Sequence, residues 1–517
     1  MLERRVPSSG ARRSVPDREV FPMAELWQWV LDHGVVVITY IFLAIDVILR
    51  ILGLVVVPRN RRPGSALAWL MAIMIFPLLG FPLYLLLGKA QLPRKRREKQ
   101  KVINRLMHVR AHDIPDSELD ADSPSWLQSA VNLNRELGAF PLTGNNSADL
   151  EIDYDTSLSR MAEDIRAAES EVHVLFFAMA LDTTTQDFFD ALAESAARGV
   201  KVRVLYDHWA SLTHGSVYRA MRRHLDAHGI EHYPMMPVKP FRDGAFQRPD
   251  LRNHRKLLMI DGQIGWMGSQ NLIAAHYNKR ANIRRGLHWQ ETMARFRGPI
   301  VSEMNLLFAT DWYYESAEML SEADLVQAPV DTSGTYECQL VPSGPGFVFE
   351  NNLALFNQLF YSADRRICAV SPYFVPDESM LAAIVTAARR GVEVELFVSE
   401  IGDQFLVFHA QRSYYSELLA AGVKIWLYRA PTILHAKHVT IDDSVTVIGS
   451  SNMDIRSFLL DMESSMMVGG TDFIQKMYDV EDVYRSRSRQ LTLEEWEQRP
   501  VPMRLLDNLC RLASAVV

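Results

Sequence analysis

Cysteine is scarce in this 517-residue chain: Cys338, Cys368 and Cys510 are its three cysteines, and they lie far apart. Their number and spacing exclude a disulfide framework and a cysteine-rich zinc site, and they predict buried or inert thiols of a cytoplasmic protein. A large net charge is missing too: the formal value is -7, so the bulk charge gives no support to a nucleic-acid partner. Because no glycine-rich nucleotide loop, Ser-His-Asp set or cluster of metal-binding carboxylates stands out, we expect no cofactor and no metal.

Two long apolar stretches near the start are the most unusual part of the composition. Ser65 to Gly88 contains 24 residues without a charge, which is long enough to cross a hydrocarbon core as a helix bent at its two prolines. Residues 34–57 are nearly as apolar, and their Asp46 and Arg50 are four apart on one helix face, where they can pair. We predict a second span there, with an interfacial helix as the alternative.

These stretches divide the N-terminal part of the chain into three segments. We predict a basic tail at 1–27, a two-helix transmembrane hairpin at 28–88, and a basic juxtamembrane segment with a linker at 89–124. Arginines and lysines on both flanks favour the cytoplasmic side for the tail and for the remainder. The sequence therefore predicts a multi-pass protein of the inner (cytoplasmic) membrane, although three arginines in the turn between the helices weaken the charge asymmetry.

The rest of the chain shows the same order of strand and helix patterns twice. Strands are predicted at 171–178 and 200–206 around a helix at 184–198, and again at 366–373 and 392–398 around a helix at 378–390. This order predicts an α/β fold with two lobes, residues 125–330 and 331–517, each a mixed sheet flanked by helices. So regular a duplication predicts pseudo-twofold packing with equivalent edges meeting at the centre.

The strongest signal is one phrase, H-x-K-x4-D-x6-G-S-x-N, that occurs in both halves. The first copy consists of His254, Lys256, Asp261, Ser269 and Asn271, and the second of His435, Lys437, Asp442, Ser450 and Asn452. A single H-x-K pair would mean nothing, but two complete copies exclude coincidence.

The residue types in this phrase fit chemistry at a phosphate. Apolar residues after each H-x-K predict a strand, on which histidine and lysine project from the same face. Imidazole can attack phosphorus or donate a proton near neutral pH, and an ammonium neutralises charge on phosphoryl oxygens. The asparagines can bring amide donors to the same phosphate, and the aspartates are expected to orient the site rather than act on substrate.

Displacement at phosphorus needs a nucleophile on one side and an acid on the other, and two copies supply both without a metal. A carboxylate should hold each histidine in its useful tautomer. Glu291 follows His254, and Glu463 follows His435, each in a strand-like stretch after its G-S-x-N turn. We predict this supporting role for the two glutamates, with a solvated strand face as the alternative.

The doubled phrase resembles the signature of the phospholipase D superfamily, and further segments narrow the resemblance to the bacterial cardiolipin synthases. These segments are Arg61–Pro63, Ala68–Leu70, Pro77–Gly80, Tyr84–Gly88, Arg252–Lys256, Ser371–Pro376, Leu434–Lys437 and Asp454–Phe458. The resemblance covers the chain from about residue 50 to residue 490. Two departures show: Leu460-Asp461-Met462-Glu463 stands where the family often has Leu-Asn-Phe-Glu, and Glu291 stands where it has an aspartate.

The resemblance implies transphosphatidylation, in which two phosphatidylglycerols give cardiolipin and glycerol at a membrane. One histidine would form a phosphohistidine, and the other would protonate the leaving glycerol and then deprotonate the incoming hydroxyl. By analogy His254 is the nucleophile and His435 the acid and base, although the residues alone do not distinguish them. The implied fold is two lobes that share a central cleft.

Several alternatives stay open at the level of sequence. A hydrolytic phospholipase D giving phosphatidic acid would use the same site, as would a metal-independent nuclease, which the apolar hairpin and the acidic balance disfavour. A catalytically inactive membrane scaffold is disfavoured by the two complete motifs. The acceptor could be phosphatidylethanolamine, and the oligomeric state and acyl-chain preference are not determined. An extra loop at 236–250 precedes the first motif, and a lid role for it is a hypothesis.

Overall fold

The computed structural model describes residues 23–59, 63–88, 123–237, 248–321 and 333–512, with scattered residues at 92–120 and 241–246. It consists of two compact units, Met1–Lys89 and Ala90–Val517. Most of the predicted basic tail and much of the predicted linker lie outside the described residues. So does the predicted boundary between the lobes at residues 330 and 331.

The first apolar stretch forms a long helix in the first unit. Helix α1 spans Met23–Val56, and its segment Asp32–Val56 has a mean hydropathy of 2.5 with no part of its most apolar window buried. Within it Arg50 Nε lies 2.8 Å from Asp46 Oδ2, the pairing predicted from their spacing. By length and composition α1 can cross a bilayer.

The second apolar stretch forms two helices, and this corrects the prediction of one bent helix. Helix α2 spans Pro63–Ile75 and helix α3 spans Pro77–Leu87, with a break at Phe76. The proline that begins α3 has no N–H to lose there, so the first turn tolerates it. The rings of Trp69 and Tyr84 lie 5.6 Å apart, so the chain turns back at the break. At about 20 Å and about 16 Å, neither helix matches a hydrocarbon core of roughly 30 Å.

The second unit begins with helix α4 and the first lobe. The strands of this lobe are β1 (Thr143–Glu151), β2 (Glu171–Phe176), β3 (Lys201–Asp207), β4 (Glu231–Met235), β5 (Phe241–Arg242), β6 (Ala245–Phe246), β7 (Arg252–Asn253), β8 (Leu257–Ile260), β9 (Ile264–Gly268), β10 (His288–Gln290) and β11 (Met293–Arg297). The helices are α4 (Ser125–Glu136), α5 (Tyr154–Arg166), α6 (Gln186–Ala197), α7 (His208–Leu212), α8 (Ser216–Ala227), α9 (Arg280–Arg285) and α10 (Ile300–Ser316).

The second lobe repeats this order with small additions. Its strands are β12 (Tyr336–Ser343), β13 (Arg366–Val370), β14 (Phe374–Val375), β15 (Glu393–Ser399), β16 (Lys424–Tyr428), β17 (Thr432–Leu434), β18 (His438–Ile441), β19 (Val445–Gly449), β20 (Met453–Asp454), β21 (Asp461–Gly469) and β22 (Ser488–Leu491). Its helices are α11 (Asn351–Ser362), α12 (Glu378–Arg389), α13 (Phe405–Arg412), α14 (Tyr415–Ala421), α15 (Ile455–Leu459), α16 (Thr471–Ser486), α17 (Leu493–Glu497) and α18 (Val501–Arg511).

Local sequence accounts for these elements. All six residues of β2 are buried, as expected for a strand covered on both faces. Helix α5 begins where the Asp153 carboxylate accepts the Thr156 N–H, and it buries an apolar stripe against the sheet. Gly199 and Gly391 follow helices α6 and α12 with φ of 93° and 94°, the left-handed backbone that favours glycine at this position.

One mixed sheet runs through both lobes and confirms the pseudo-twofold arrangement. The strand order is β4-β3-β2-β8-β9-β11-β1-β12-β21-β19-β18-β13-β15-β16-β22. β1 and β12 pair antiparallel at the centre, and the order outward from them is the same on both sides as far as β4 and β16. Strand β22 is an addition to the second lobe.

Besides the central pairing of β1 with β12, two short strand pairings connect the lobes. β7 of the first lobe pairs parallel with the start of β21, where Asp461 lies opposite Arg252. In the equivalent place β17 of the second lobe pairs parallel with β10, where Thr432 lies opposite His288. Since β7 and β17 lead directly into the two motifs, each motif enters the molecule's centre against the other lobe.

Candidate active site

The two H-x-K segments lie on extended connections just before β8 and β18, which corrects their predicted placement on a strand. The reason is their bonding: the backbone N–H of His254 donates to the Met462 carbonyl at 2.8 Å, and that of His435 donates to the Gln290 carbonyl at 2.7 Å. Both carbonyls belong to the opposite lobe. Each motif therefore leaves its own sheet to place its histidine at the interface.

Each histidine is held by a glutamate of the other lobe. The Nδ1–H of His254 donates to the two carboxylate oxygens of Glu463 at 3.0 and 3.1 Å. The Nδ1–H of His435 donates to those of Glu291 at 2.8 and 2.9 Å. Because an ionised carboxylate only accepts, this tautomer leaves the Nε2 lone pair of each ring for chemistry. Position in the chain associates each glutamate with the histidine of its own half, and the fold reverses that association.

The motif serines fix these glutamates. Ser269 Oγ donates to Glu291 at 2.6 Å, and Ser450 Oγ donates to Glu463 at 2.5 Å. Each G-S-x-N turn thus holds the carboxylate of its own lobe, which in turn orients the imidazole of the other. For Ser269 and Ser450, which the sequence predicts to bind phosphate or support the site, these hydrogen bonds are those of a supporting position.

The two lysines lie beside the histidines in equivalent positions. Lys256 Nζ donates to the His254 carbonyl at 2.5 Å, and Lys437 Nζ donates to the His435 carbonyl at 2.6 Å. Both side chains are buried. Burial lowers the pKa of Lys256 to about 7 and that of Lys437 to about 8, so an arriving phosphate would raise both and fix their charge.

The motif aspartates do not belong to the cleft, and this corrects their predicted role in orienting it. The Asp261 carboxylate accepts the backbone N–H groups of residues 169–171 at 2.8 to 2.9 Å, and the Ser170 hydroxyl at 2.7 Å. Asp442 accepts those of residues 364–366 at 2.8 to 3.0 Å. Both residues are in the left-handed conformation, with φ of 50° and 48°. They tie the turn after β8 or β18 to the start of β2 or β13, at the end of the strand away from the histidines.

The asparagines differ between the copies. Asn271 Oδ1 accepts the Ala178 N–H at 3.2 Å, and its amide donates to the Tyr277 hydroxyl at 2.6 Å. The backbone N–H of Asn452 donates to Ser457 Oγ at 3.2 Å, while its Oδ1 is buried without a partner among the described residues. Asn271 is thus committed to its own lobe, whereas the Asn452 side chain is less constrained.

An aromatic ring packs against each imidazole edge to face. The rings of Phe177 and His254 lie 4.6 Å apart, and those of Tyr373 and His435 lie 6.1 Å apart. The Tyr373 hydroxyl donates to Asp403 at 3.0 Å. These rings restrict the imidazoles to one orientation and exclude water from one side of each, which preorganises the site.

The electrostatics of the two histidine–glutamate pairs differ. Burial raises the pKa of the Glu463 carboxyl to about 7, in spite of the nearby Lys256 ammonium. Burial also acts on Glu291, but the charge of His435 and its hydrogen bond outweigh it and hold the pKa of that carboxyl below its usual range. Glu291 is therefore the more fully ionised of the two at neutral pH.

Each histidine resembles the glutamate that holds it in how well the surroundings support its charged form. Burial, followed by the charges of Lys256 and Lys437, holds the pKa of His254 well below its usual value. Burial also lowers the pKa of His435, but there the negative charge of Glu291 opposes the shift. His254 is thus the neutral imidazole, and His435 is the one whose protonated form the surroundings support better.

Charged residues beside the second motif were not predicted as site residues, although two of them stand in segments that carry the family resemblance. Arg456 donates to Asp461 at 3.1 and 3.2 Å and to the Asp250 carbonyl at 2.6 Å. Burial raises the pKa of Asp461 to about 8 and that of Asp454 to about 6. These groups surround Glu463 and share its burial, which explains why that carboxyl resists ionisation.

Cys368, His438 and Glu481 come together in the second lobe although the cysteines are far apart in sequence, with one candidate ligand atom from each within 4.8 Å of the others. The Glu481 carboxylate accepts hydrogen bonds of 2.6 Å from Arg366 and from Thr440. A guanidinium at this distance opposes a divalent cation, so the cluster is better explained as a buried ion-pair network.

Comparison with known proteins gives consistent matches over most of the chain. A model described as cardiolipin synthase, PLD-like domain matches residues 161–312 and 356–480, and one described as phospholipase D-nuclease N-terminal matches residues 38–89. The cardiolipin synthase of Geobacillus kaustophilus is 31% identical over 470 residues, which are 90% of this chain and 91% of that protein. Cardiolipin synthase A of Serratia proteamaculans is 32% identical over 488 residues, 93% and 96% of the two chains.

Among solved structures, the phosphatidylserine synthase of Haemophilus influenzae superposes with a TM-score of 0.57 at 14% identity. The superposition covers 75% of this chain and 100% of that one. At this identity the likeness concerns the fold alone, and it agrees with the two-lobed α/β architecture.

Proposed function

Because the chain belongs to the cardiolipin synthase family of the phospholipase D superfamily, we propose that it makes cardiolipin and glycerol from two phosphatidylglycerols through a phosphohistidine intermediate. The observation that supports this chemistry is the pair of Nδ1-anchored imidazoles, one from each lobe, with a buried lysine beside each. The lysines supply positive charge for the phosphoryl oxygens on both sides of the reaction.

In the first step Nε2 of His254 attacks the phosphorus of one phosphatidylglycerol. The phosphorus–oxygen bond to the headgroup glycerol breaks, and Nε2–H of His435 gives its proton to the departing oxygen. Glycerol leaves, and the phosphatidyl group is bound to His254. Glu291 compensates the positive charge of His435 before the transfer, and Glu463 compensates the charge that develops on His254.

In the second step the headgroup hydroxyl of another phosphatidylglycerol gives its proton to Nε2 of His435 and attacks the phosphorus. The phosphorus–nitrogen bond breaks, which releases cardiolipin and restores both imidazoles. The lower pKa of His254 and the ionised partner of His435 support this division of roles, which the equivalent motifs leave undecided.

The test is product analysis of the purified full chain with phosphatidylglycerol in mixed micelles. We expect cardiolipin and glycerol in equal amounts, and mass-labelled glycerol should exchange into phosphatidylglycerol through the same intermediate. Phosphatidic acid without cardiolipin would show a hydrolase instead. Adding phosphatidylethanolamine labelled in its headgroup decides which lipid donates the phosphatidyl group. Its headgroup has no hydroxyl to attack phosphorus, so it can replace only the first phosphatidylglycerol, and labelled ethanolamine would then be released in place of glycerol. An assay with DNA and RNA tests the nuclease alternative.

The family and the uncovered apolar helix α1 associate the chain with a membrane. For the arrangement in that membrane we propose that α1 crosses it once, whereas α2 and α3 enter and leave through one face. The tip between α2 and α3 supports this, because Ile75, Phe76, Leu78 and Leu79 are all exposed and would contact water if the tip reached the far side.

The cations of the turn after α1 and of the segment after α3 outnumber the five arginines of the predicted tail, and this supports the cytoplasmic side for this face. The turn after α1 and the segment after α3 then share it, and their cations are Arg59, Arg61, Arg62, Lys89, Arg94, Lys95, Arg96 and Arg97. The catalytic lobes lie in the cytoplasm, and the N-terminal tail lies on the opposite side, where the sequence had placed both together. Reporter fusions at the two termini test this: fluorescence of a cytoplasmic reporter at both ends would contradict it.

A further inference from the structure

Helix α18 carries an exposed apolar stripe. Val501, Leu505, Leu509 and Leu512 follow one another at intervals of four and three residues on one face, and they are 65%, 57%, 55% and 80% exposed. A surface helix of a soluble domain turns such a stripe toward the core. Here the stripe points away from the protein.

The inner side of α18 is anchored by a buried charge. Asp507 is 1% exposed, and its carboxylate lies 2.7 Å from His409 Nδ1 and accepts an Arg499 N–H at 2.6 Å. Arg412 Nε lies 3.6 Å away. His409 and Arg412 belong to α13, so these ionic contacts hold α18 against α13 and fix which face of α18 turns outward.

Helix α13 extends the apolar surface. Phe405 and Leu406 at its first turn are 63% and 49% exposed. Together with the stripe of α18 they form what we call the C-terminal apolar face, which consists of Phe405, Leu406, Val501, Leu505, Leu509 and Leu512. Large apolar side chains that share one surface mark an interaction site.

The α13 end of the C-terminal apolar face lies close to the catalytic cleft. Asp403, just before Phe405, accepts the hydroxyl of Tyr373, whose ring packs against His435. The segment that presents the apolar face therefore also supports the aromatic ring beside one catalytic histidine.

From this geometry we infer that the C-terminal apolar face inserts into the interfacial layer of the bilayer and sets the cleft at the lipid surface. The inference rests on the proposed function, since a lipid substrate must reach the cleft from a membrane. A bilayer is the occupant that the chain itself indicates, because α1 is long and apolar enough to cross one and the relatives are cardiolipin synthases. The exposed Arg504 beside the leucine stripe is suited to anionic headgroups, while the leucines and Phe405 enter the acyl boundary.

The direct test uses an environment-sensitive nitrobenzoxadiazole label on the full chain, reconstituted in vesicles of phosphatidylglycerol and phosphatidylcholine. The label is attached in Leu509→Cys and, as the matched control, in Asn508→Cys, an exposed polar neighbour on the same helix. The three native cysteines are buried, and the unsubstituted chain measures their background labelling. We expect blue-shifted emission and quenching by spin-labelled lipids at position 509, and weaker effects at position 508.

Equal emission at both positions, with quenching by aqueous iodide, would overturn the inference. Shielding from iodide without lipid quenching, lost when protein is diluted in lipid, would overturn it in favour of a second copy on this face. This readout needs no turnover, so it stands apart from the proposed reaction.

A second measurement connects the face to catalysis. The double variant Leu505→Asp/Leu509→Asp changes exposed positions only, so folding and turnover of detergent-dispersed lipid should be preserved. With lipid in vesicles, we expect turnover to fall by about tenfold or more. Equal loss in both assays would show a folding defect and contradict a docking role.

Discussion

The two lobes around the cleft are nearly identical in their motifs and different in the residues next to them. After each G-S-x-N turn, Ile273 of the first lobe corresponds to Asp454 of the second, and Ala275 corresponds to Arg456. Two residues before the supporting glutamates, Trp289 corresponds to Asp461. The second lobe therefore carries charges where the first carries apolar side chains.

This difference explains how a duplicated site can perform two distinct roles. Two identical half-sites would hold two equivalent imidazoles, and neither would be predisposed to attack. Here Glu463 lies among other buried carboxyls and its pKa is raised, whereas Glu291 lies near tyrosines and its pKa is lowered. The neighbours, rather than the motifs, make the two histidines electrostatically unequal, as the proposed roles of nucleophile and acid require.

The catalytic histidines should show the largest effects and should fail in different ways. His254→Ala should lower turnover at least about 10³-fold and form no covalent intermediate, because the nucleophile is gone. His435→Ala should be equally inactive on phosphatidylglycerol, yet it should still form the phosphohistidine from a lipid ester with a good leaving group that needs no acid. Rapid quenching followed by mass spectrometry measures this. A covalent adduct in His254→Ala alone would reverse the assignment of roles.

Variants of the two supporting glutamates should have the next largest effect. Each glutamine variant should lower turnover by about 10²-fold, and the two variants should differ in the pH dependence of that turnover. Since the pKa of Glu463 is about 7, protonation below this value should weaken its hold on His254, and activity should fall there. Glu463→Gln should remove this acid limb. Glu291→Gln should retain it, because Glu463 is unchanged in that variant and the pKa of Glu291 is held below its usual range.

The same glutamates should have opposite effects on stability. The raised pKa of Glu463 means that its ionisation costs folding free energy, so its contribution is most favourable at low pH and is lost as pH rises toward about 7. The lowered pKa of Glu291 means that its ionisation stabilises the fold at pH values above the pKa that the residue has in the unfolded chain. This stabilisation is lost as pH falls. Denaturant unfolding of the two glutamine variants from pH 4 to pH 8 measures both slopes; slopes of one sign would contradict the asymmetry.

Arg456 should have a smaller effect that is confined to one half of the cleft. Arg456→Ala leaves Asp461 without its cation, and we expect kcat/KM for phosphatidylglycerol to fall about tenfold. Arg456→Lys keeps the charge and should recover only part of the loss, because an ammonium lacks the planar fork that lets Arg456 contact Asp461 and the Asp250 carbonyl together. Steady-state kinetics decide; full activity of the alanine variant would remove Arg456 from the site.

The motif aspartates should have the least effect on the chemistry and should act alike in the two lobes. Asp261→Ala and Asp442→Ala each strip an acceptor from three backbone N–H groups, which should lower the free energy of unfolding by about 2–4 kcal/mol. At a temperature where both variants are folded, turnover should remain close to that of the parent. A loss of turnover as large as that of a histidine variant would return these residues to the catalytic site.

Much of the fold follows from local patterns. The strands of the two lobes, the helices between them and the glycines that end α6 and α12 are where periodicity and turn chemistry predict them. The doubled motif also predicts both histidines and both lysines as site residues, and the structure brings these four side chains close together. The strands and helices can be predicted because each depends on residues close together in the chain.

The features that the sequence did not predict correctly depend on partners that are distant in sequence. Asp261 has the residue type for catalysis, but its partners are backbone amides about 90 residues earlier, which no pattern reveals. The break at Phe76 depends on how two helices pack, as the contact of Trp69 with Tyr84 shows. In the same way the outward direction of the leucine stripe of α18 becomes visible only when the buried Asp507 is found against α13.

The order of residues is enough to predict two equivalent H-x-K motifs on two α/β lobes behind an apolar N-terminal segment. The fold adds which groups are partners: Glu463 holds His254 across a separation of 209 residues, and Glu291 holds His435 across 144. These partners cannot be read along the chain because β7 and β17 each pair with the opposite lobe, and backbone hydrogen bonds between lobes leave no trace in the order of residues.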